Sequence, residues 1–304
     1  MPMTTIEEAI ARIPRWRAVK VSVAPLGGGV TNLNYRVEVA GEIFVVTLSS
    51  EDSALLGINR RLAYQSTIVA GRTGVGPEVL DFFPDEGILV TRFIVGRRLT
   101  AQDMSQPRVL ARVLQSMRRC HAGPALPARF SAFRILDAYR RAAHARGARL
   151  PPDAEQLYDR IAASEAAVTR SDDARPCHND LWEFNLLDDG KLIRIIDWEY
   201  AGMGTVYFDL ANFAIHNRFT ETQDDALLRA YLGSFSRAQH ARFKLLRIVA
   251  ELREAMWAVV ARTLEATAAS GFDCAGYAAT HFDRCREALA DPRVVAWLRT
   301  AASE

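Results

Sequence analysis

Three polar residues stand at short spacing in the stretch between residues 176 and 204. Asp180 and Asn185 are five residues apart, and Asp197 follows Asn185 by twelve residues at the end of an apolar run. A carboxylate and a carboxamide oxygen are hard ligands that suit a Mg²⁺ ion bridging phosphate groups. The second carboxylate, on Asp180, is suited to accept a proton from a hydroxyl group. These residue types therefore favour phosphoryl transfer to an alcohol.

A short hairpin would bring these side chains together. Turn residues at 188–190 separate two apolar runs at 186–187 and 192–196, which predicts a pair of strands. The paired strands would return the chain and place Asp197 near Asn185. Protein kinases use the same arrangement, with an Asp base, an Asn five residues on and a metal-binding Asp downstream. Asp and Asn are also common in ordinary turns, so the combination of loop and hairpin favours the catalytic interpretation.

The rest of the chain divides into two zones that must position this stretch. Short β-rich runs and turns dominate up to residue 94, with one helical stretch at 59–70, and apolar residues at helical spacing dominate afterwards. The pattern predicts an α+β fold of two lobes. A small β-rich N-terminal lobe would span residues 1–94, and a larger helical C-terminal lobe would span residues 95–304. The cleft between them is the expected ligand site.

Composition excludes several classes of protein. The formal net charge of the 304 residues is +2, which is too balanced to indicate a nucleic-acid partner or a membrane surface. The four cysteines form no CxxC pair, which indicates reduced thiols, and no apolar run reaches about 18 residues. We therefore expect a cytoplasmic protein without membrane insertion, and the sequence leaves a homodimer open.

Several motifs resemble those of one family. The segments HNDLWEFNLL, IDWEYAG and FDLAN are similar to the choline/ethanolamine kinase branch of the aminoglycoside-phosphotransferase-like kinases. LGGGVTNLNYRV resembles that family's nucleotide loop, and residues 74–80 and 87–96 resemble its next strands and hinge. The resemblance implies a protein-kinase-like two-lobe fold. It also implies transfer of the γ-phosphate of ATP, with Mg²⁺, to choline, ethanolamine or a similar amino alcohol.

The resemblance also implies roles for individual residues. Asp180 would be the base, Asn185 and Asp197 would hold Mg²⁺, and His178 and Asp209 would support the catalytic loop. Glycines between two strands let backbone N–H groups approach phosphate, and neighbouring hydroxyl and amide groups add contacts. The expected nucleotide-binding residues are Gly27, Gly28, Gly29, Thr31, Asn32, Thr91 and Phe93.

On the acceptor side, a quaternary ammonium is best held by aromatic faces with a carboxylate nearby. Asp180, Glu199, Tyr200 and Trp257 are the expected substrate-binding residues. Glu254 falls where the family has a second tryptophan, and His216 falls where an acidic partner is usual. Trp182 is expected to be mainly a packing residue.

One departure from the family affects the nucleotide side. Kinases of this kind need a basic residue on the third strand and a Glu on the following helix, and here Thr47 and Ala63 stand at these positions. Another cation, such as Arg36, Arg60 or Arg61, would have to reach the phosphates. Otherwise the chain is a degenerate kinase that binds a ligand without turnover. A related kinase for another hydroxylated cation, an aminoglycoside or thiamine, is a further alternative.

Overall fold

The N-terminal lobe is a five-stranded antiparallel sheet with two helices. The computed structural model describes residues 4–27, 32–170 and 173–303. The strand order is β1-β2-β3-β5-β4. The strands are β1 (Val21–Leu26), β2 (Asn32–Val39), β3 (Glu42–Ser49), β4 (Val79–Phe83) and β5 (Ile88–Arg92), and the helices are α1 (Ile6–Arg12) and α2 (Arg60–Arg72).

The alternation of side chains along β3 separates the core of this lobe from the cleft. Phe44, Val46 and Leu48 point to one face, where they are buried with Trp16 and Ile88 in a small apolar cluster. Residues between them point to the opposite face, since successive side chains of a strand alternate. That opposite face lines a cavity between the lobes.

The C-terminal lobe is built around one long buried helix. Twenty of the 25 residues of this helix, α9 (Arg237–Ala261), are buried, and it packs against the helices on all sides. Ser236 and Gln239 form a capping box that fixes its start. The other helices are α3 (Pro107–His121), α4 (Ala132–Ala145), α5 (Ala154–Ala162), α6 (Glu165–Val168), α7 (Val206–His216), α8 (Glu221–Leu232), α10 (Glu265–Ser270), α11 (Cys274–Ala290) and α12 (Val294–Ala301).

Two short sheets in this lobe carry the loops that face the cleft. One has the order β6-β8-β9 and the other pairs β10 with β7. Their strands are β6 (Arg97–Arg98), β7 (Ala174–Cys177), β8 (Leu186–Asp188), β9 (Ile193–Ile195) and β10 (Gly202–Thr205).

The connection between the lobes passes very close to β8. At Gly96 an added Cβ would lie 2.8 Å from the carbonyl oxygen of Asp188, so a side chain there would force the connection away. This close approach allows β6 to pair with β8, with Arg98 opposite Leu187. The connection thereby holds the N-terminal sheet beside the loops of the helical lobe.

The architecture confirms the predicted α+β fold with a β-rich N-terminal lobe and a helical C-terminal lobe. The predicted strand pairs and the helix near residues 59–70 are present, because each is set by local alternation and turn residues. The division between residues 94 and 95 stays our prediction for the lobe boundary. Within the described ranges, no helix has both the length and the apolar character needed to cross a bilayer.

Candidate active site

The hairpin formed by β8 and β9 brings Asn185 and Asp197 together. Asn185 directly precedes β8, and Asp197 lies two residues beyond the end of β9. The backbone N–H of Ile196 donates to the carbonyl oxygen of Asn185 at 3.0 Å, which closes the base of the hairpin. At its tip, Asp189 Oδ1 accepts the N–H groups of Lys191 and Leu192. Local turn chemistry therefore sets this meeting point.

Asp180 lies on the other side of Asn185 in the same loop. Asn185 Nδ2 donates to the backbone carbonyl of Asp180 at 3.0 Å and lies 3.5 Å from its Oδ2. This anchoring uses the amide nitrogen of Asn185. Its carbonyl oxygen, Oδ1, accepts no hydrogen bond from the described part of the chain. The side chain is thus fixed with its acceptor atom available.

Helix α7 holds this loop by hydrogen bonds to Asp209 and Asn212, which lie one turn apart on the helix. Asp209 is fully buried, and its two carboxylate oxygens accept the backbone N–H groups of His178 and Asn179. Asn212 Oδ1 accepts the N–H of Leu181 at 2.7 Å. Residues three apart on a helix share a face, so α7 presents both acceptors to the loop.

His178 holds the loop against the strand that leads to Asp197. Its Nδ1 accepts the backbone N–H of Asp180 at 3.3 Å, so the ring proton lies on Nε2, which donates to the carbonyl of Ile196 at 3.0 Å. Burial lowers the pKa of His178 and favours this neutral form. The imidazole ties the two halves of the site together, and it has no proton to deliver to the cleft.

Asp197 lies at the cleft, close to two other acidic side chains. Its φ angle of 64° lies in the left-handed region, at the reversal between β9 and the segment carrying Glu199. Asp197 is exposed to the solvent of the cleft. Its partial desolvation by the cleft walls raises its pKa, as do the nearby carboxylates of Glu199 and Asp180. Three carboxylates around one opening favour binding of a cation.

The donor set at this point fits a Mg²⁺ ion. The free Oδ1 of Asn185 and the carboxylate of Asp197 are both hard oxygen donors and border the same cavity. A bound divalent cation would relieve the repulsion that raises the pKa of Asp197. The residues present are therefore those that would hold the ion.

Among the described residues, two other side-chain clusters have atoms close enough to share a metal ion. The first contains His121, Cys177 and Asp209, and Asp209 there already accepts hydrogen bonds from the loop that carries Asp180. The second contains Asp180, His216 and Glu254. The guanidinium of Arg253 contacts both carboxylates of the second cluster and occupies the place that an ion would take.

A cavity of about 340 Å³ lies between the N-terminal sheet and the hairpin. Expected nucleotide-binding residues that line it are Gly27, Asn32, Thr91 and Phe93. Gly28, Gly29 and Thr31 were also expected to contact phosphate, and these lie outside the described residues. Asn32 reaches across the cleft, and its Nδ2 donates to Glu199 Oε1 at 2.7 Å.

The uncharged pair noted in the sequence faces this same cavity. Thr47 and Ala63 both line it, on β3 and α2. The hydroxyl of Thr47 donates to Asn34 Oδ1 at 2.7 Å, which satisfies it within the lobe. Neither position supplies a charge to the cavity.

A second cavity of about 430 Å³ adjoins the first and shares Asn185, Asp197 and Glu199 with it. The expected substrate-binding residues Asp180, Glu199, Tyr200 and Trp257 all line this cavity. Other aromatic residues complete its wall, namely Trp182, Phe184, Phe272 and Tyr277. Trp182, which we expected mainly to pack, lines the cavity and lies parallel to His216 at 5.4 Å between ring centroids.

Glu254 supplies the acid of this cavity. It lies one helical turn before Trp257 on α9, and its Oε2 accepts the hydroxyl of Tyr277 at 3.0 Å. Burial alone would raise the pKa of Glu254, but Arg253 and His216 more than reverse this and hold the pKa below its usual range. The carboxylate remains ionised although it is buried.

The sequence interpretation missed this role of Glu254. His216 stands where an acid was expected, and it lies 3.6 Å from Glu254, whose charge raises the pKa of His216 against the effect of burial. The helical spacing of Glu254 and Trp257 was the available signal. Phe272 and Tyr277 gave none, since a loop and another helix bring them to the site.

Arg253 modifies the role expected of Tyr200. Its guanidinium lies 4.3 Å from the centre of the Tyr200 ring and donates to Asp180 Oδ1 at 2.9 Å. The Tyr200 hydroxyl donates to the carbonyl of Leu56 at 3.1 Å and accepts from Tyr139 at 3.0 Å. One face of the Tyr200 ring is therefore already covered by a cation from the protein itself.

Comparisons with known proteins identify the family of this chain and the fold it shares. The sequence profile described as the phosphotransferase enzyme family matches residues 22–246. The protein LicA of Haemophilus influenzae is 25% identical over 223 residues, which cover 72% of this chain and 65% of LicA. The chain therefore matches a little under two thirds of that relative's length.

Solved structures share the fold over almost the whole chain. A choline/ethanolamine kinase family protein from Mesorhizobium loti is 27% identical, with a TM-score of 0.79 and coverage of 98% of this chain and 99% of the other. The choline kinase LicA of Streptococcus pneumoniae shares the fold, with 22% identity, a TM-score of 0.75 and coverage of 94% and 99%. Because the family profile spans most of the chain, the protein belongs to the phosphotransferase enzyme family and resembles its choline/ethanolamine kinases.

Proposed function

We propose that this protein transfers the γ-phosphate of ATP to the hydroxyl group of choline, ethanolamine or a similar amino alcohol. The observation that carries the proposal is the meeting of two cavities at Asn185 and Asp197. One cavity, here termed the nucleotide cavity, is lined by residues that we propose bind ATP. The other, the aromatic cavity, has Asp180 and Glu254 in its lining. The names of the similar proteins support the same substrate class.

Asp180 is the proposed base. Its side chain is half-buried at the edge of the aromatic cavity, where Arg253 holds one of its oxygens. The acceptor hydroxyl gives its proton to Asp180 while its oxygen forms a bond to the γ-phosphorus. The bond between that phosphorus and the β–γ bridging oxygen breaks, and ADP leaves with this electron pair. The arginine keeps the carboxylate in place without occupying both of its oxygens.

Asn185 and Asp197 would hold Mg²⁺, which supplies neutralisation of phosphate charge when bound. The loop at residues 27–32 is proposed to cover the phosphates, and Asn32 ties the end of this loop to Glu199. Thr91 and Phe93, at the end of β5 and the start of the connection, would contact the base and sugar. The hinge near residues 94 and 95 would let the lobes close on the nucleotide.

Recognition of the acceptor rests on an ammonium group. A cation is favoured against aromatic faces by about 2 kcal/mol when it is desolvated. Trp257 and Trp182 offer such faces in the aromatic cavity, and the ionised Glu254 adds negative charge to its lining, which also contains Glu199. An amino alcohol places its ammonium there and its hydroxyl toward Asp180.

The direct test is release of ADP by the purified protein with ATP and Mg²⁺. The acceptor panel contains choline, ethanolamine, an aminoglycoside and thiamine, since all carry a cation and a hydroxyl. Release of ADP that depends on choline or ethanolamine and disappears in Asp180→Ala supports the proposal. A response only to the aminoglycoside or to thiamine would replace the proposed acceptor with that one.

A second candidate is a kinase fold that binds ligands without turnover. The uncharged Thr47 and Ala63 in the nucleotide cavity favour it. Absence of ADP release across the whole panel, with no rise in Tm on addition of ATP and Mg²⁺, would favour this candidate. The binding measurement separates the two functions, because a catalyst must bind the nucleotide.

A further inference from the structure

Three arginines are the candidates that the sequence offers to replace the missing basic residue on β3. All three have partners outside the cleft. Arg36, Arg60 and Arg61 line neither of the two cavities in the described part of the chain. Their partners are Glu38 at 3.0 Å, the carbonyl of Ser50 at 3.1 Å and Asp85 at 2.9 Å. These arginines therefore do not serve the cleft.

Arg92 and Arg98 do line the nucleotide cavity. Arg92 is held at the outer side of the sheet by Glu42 at 3.0 Å and Glu78 at 2.7 Å. The guanidinium of Arg98, in contrast, has no hydrogen-bond or ion-pair partner within residues 4–27, 32–170 and 173–303; the bond to this residue from Arg97 is to its backbone carbonyl. Its charge is available to a ligand.

Arg98 also lines the aromatic cavity, so it stands at the junction of the two. The proposed metal-holding residues Asn185 and Asp197 border the same junction. A phosphoryl group that passes from a nucleotide in one cavity to an acceptor in the other must cross this point. Arg98 is the one basic side chain that both cavities share among the described residues.

The pairing of β6 with β8 explains why this arginine faces the cleft. Arg98 lies opposite Leu187, which lines the nucleotide cavity, while Arg97 lies opposite Asp188. Neighbouring side chains of a strand point to opposite faces. The guanidinium of Arg97 accordingly turns the other way and binds both oxygens of Asp103 at 2.8 and 2.9 Å.

We infer that Arg98 binds the terminal phosphates of the nucleotide and takes the place of the missing strand cation. The inference rests on the proposed function, because it assigns a phosphate-binding residue to that same site. A guanidinium is always charged, and its fork of N–H donors matches two phosphate oxygens. From the junction, it stabilises charge on the phosphoryl group as that group is transferred.

Calorimetric titration with adenosine and with ADP, each with Mg²⁺, tests the inference without relying on an acceptor. The variants are Arg98→Ala, Arg98→Lys and the matched control Arg97→Ala, which removes the neighbouring arginine on the opposite face. We expect Arg98→Ala to weaken ADP binding at least about tenfold and to leave adenosine binding unchanged. Arg98→Lys keeps part of the ADP affinity, and Arg97→Ala keeps wild-type preference for ADP over adenosine.

Turnover gives a second readout. Loss of one preorganised group that stabilises transition-state charge lowers kcat about 10²–10³-fold, and we expect this for Arg98→Ala with the acceptor KM unchanged. Equal ADP affinity in Arg98→Ala and the wild type, or a wild type that binds ADP no better than adenosine, would overturn the inference. If ADP binding depends on Arg98 but no acceptor on the panel is phosphorylated, the inference stands and the proposed function fails.

Discussion

Asn32 and Glu199 join the two lobes by a hydrogen bond of 2.7 Å across the cleft, from the amide nitrogen of Asn32 to Glu199 Oε1. Asn32 begins β2 immediately after the glycine-rich segment, and Glu199 lies two residues beyond Asp197. The bond therefore couples the loop proposed to cover the phosphates to the segment proposed to hold the metal. We therefore expect closure of the cleft to be coupled to assembly of the site.

The first prediction concerns this contact. We expect Asn32→Ala to raise the KM for ATP about tenfold, because a hydrogen bond to a charged group contributes about 1.5 kcal/mol. Asn32→Asp should raise the KM for ATP further, since it places a second carboxylate next to Glu199. Initial-rate kinetics with varied ATP measure both. Arg36→Ala, which removes a bond to Glu38 within the N-terminal lobe and lies outside both cavities, is the control, and an equal KM in Asn32→Ala and the wild type would contradict the coupling.

The second prediction concerns the aromatic cavity. Trp257→Ala removes a ring that contacts Phe272 and Tyr277 at the cavity wall. Loss of about 2 kcal/mol of cation–π attraction would raise the choline KM about thirtyfold and leave the ATP KM unchanged. Trp257→Phe keeps an aromatic face, so its choline KM should lie between those of the wild type and Trp257→Ala. Steady-state kinetics with each substrate varied in turn decides this, and a rise in the ATP KM alone would speak against the assignment.

The third prediction concerns the support of the catalytic loop. In Asp209→Asn, an amide NH₂ group replaces one of two oxygens that accept backbone N–H groups. Because the carboxylate is fully buried, we expect the free energy of unfolding to fall by about 3 kcal/mol. Urea denaturation measures the change. Asp85→Asn, at an exposed ion pair, should cost under about 1 kcal/mol, and equal losses in both variants would refute the account.

The fourth prediction is a pH dependence of stability that depends on His216. Burial lowers the pKa of His216, but Glu254 more than reverses this, so the folded pKa is raised. The folded state then holds the proton more tightly than the unfolded state, whose His pKa is about 6.5. The stabilisation is fully present below that unfolded value and is lost as pH rises through the folded pKa.

Urea unfolding of the wild type and His216→Gln across this range measures the effect. The difference in unfolding free energy between the two proteins should be larger near pH 6 than near pH 9. His144→Gln, at a largely exposed histidine beside Glu155, is the control and should show a small difference at both values. A His216→Gln difference that is independent of pH would show that the ion pair with Glu254 does not form.

The parts of the site that the sequence predicted are those set by local chain geometry. The hairpin turn at 188–190 fixes the distance between Asn185 and Asp197, and both the turn residues and the apolar runs are readable. The β-rich and helical zones were readable for the same reason, since side-chain alternation and helical spacing are properties of short windows.

The parts that it did not predict come from contacts between distant segments. Tyr277 reaches the aromatic cavity because α11 packs on α9, which depends on the whole helical lobe. Arg98 faces the cleft because β6, a strand of two residues, pairs with β8 in one register, and a shift by one residue would present Arg97 instead. No local pattern distinguishes these adjacent arginines.

The central claim is that Asp180 accepts a proton from an amino alcohol as phosphate arrives from ATP. Phosphorus NMR of a reaction mixture with ATP, Mg²⁺ and choline or ethanolamine observes the product itself. We expect a phosphomonoester of the alcohol and an equal amount of ADP, with Asp180→Asn slower by about 10²–10⁴-fold. A phosphomonoester formed at the wild-type rate by Asp180→Asn, or ADP accompanied only by inorganic phosphate in the wild type, would contradict this claim.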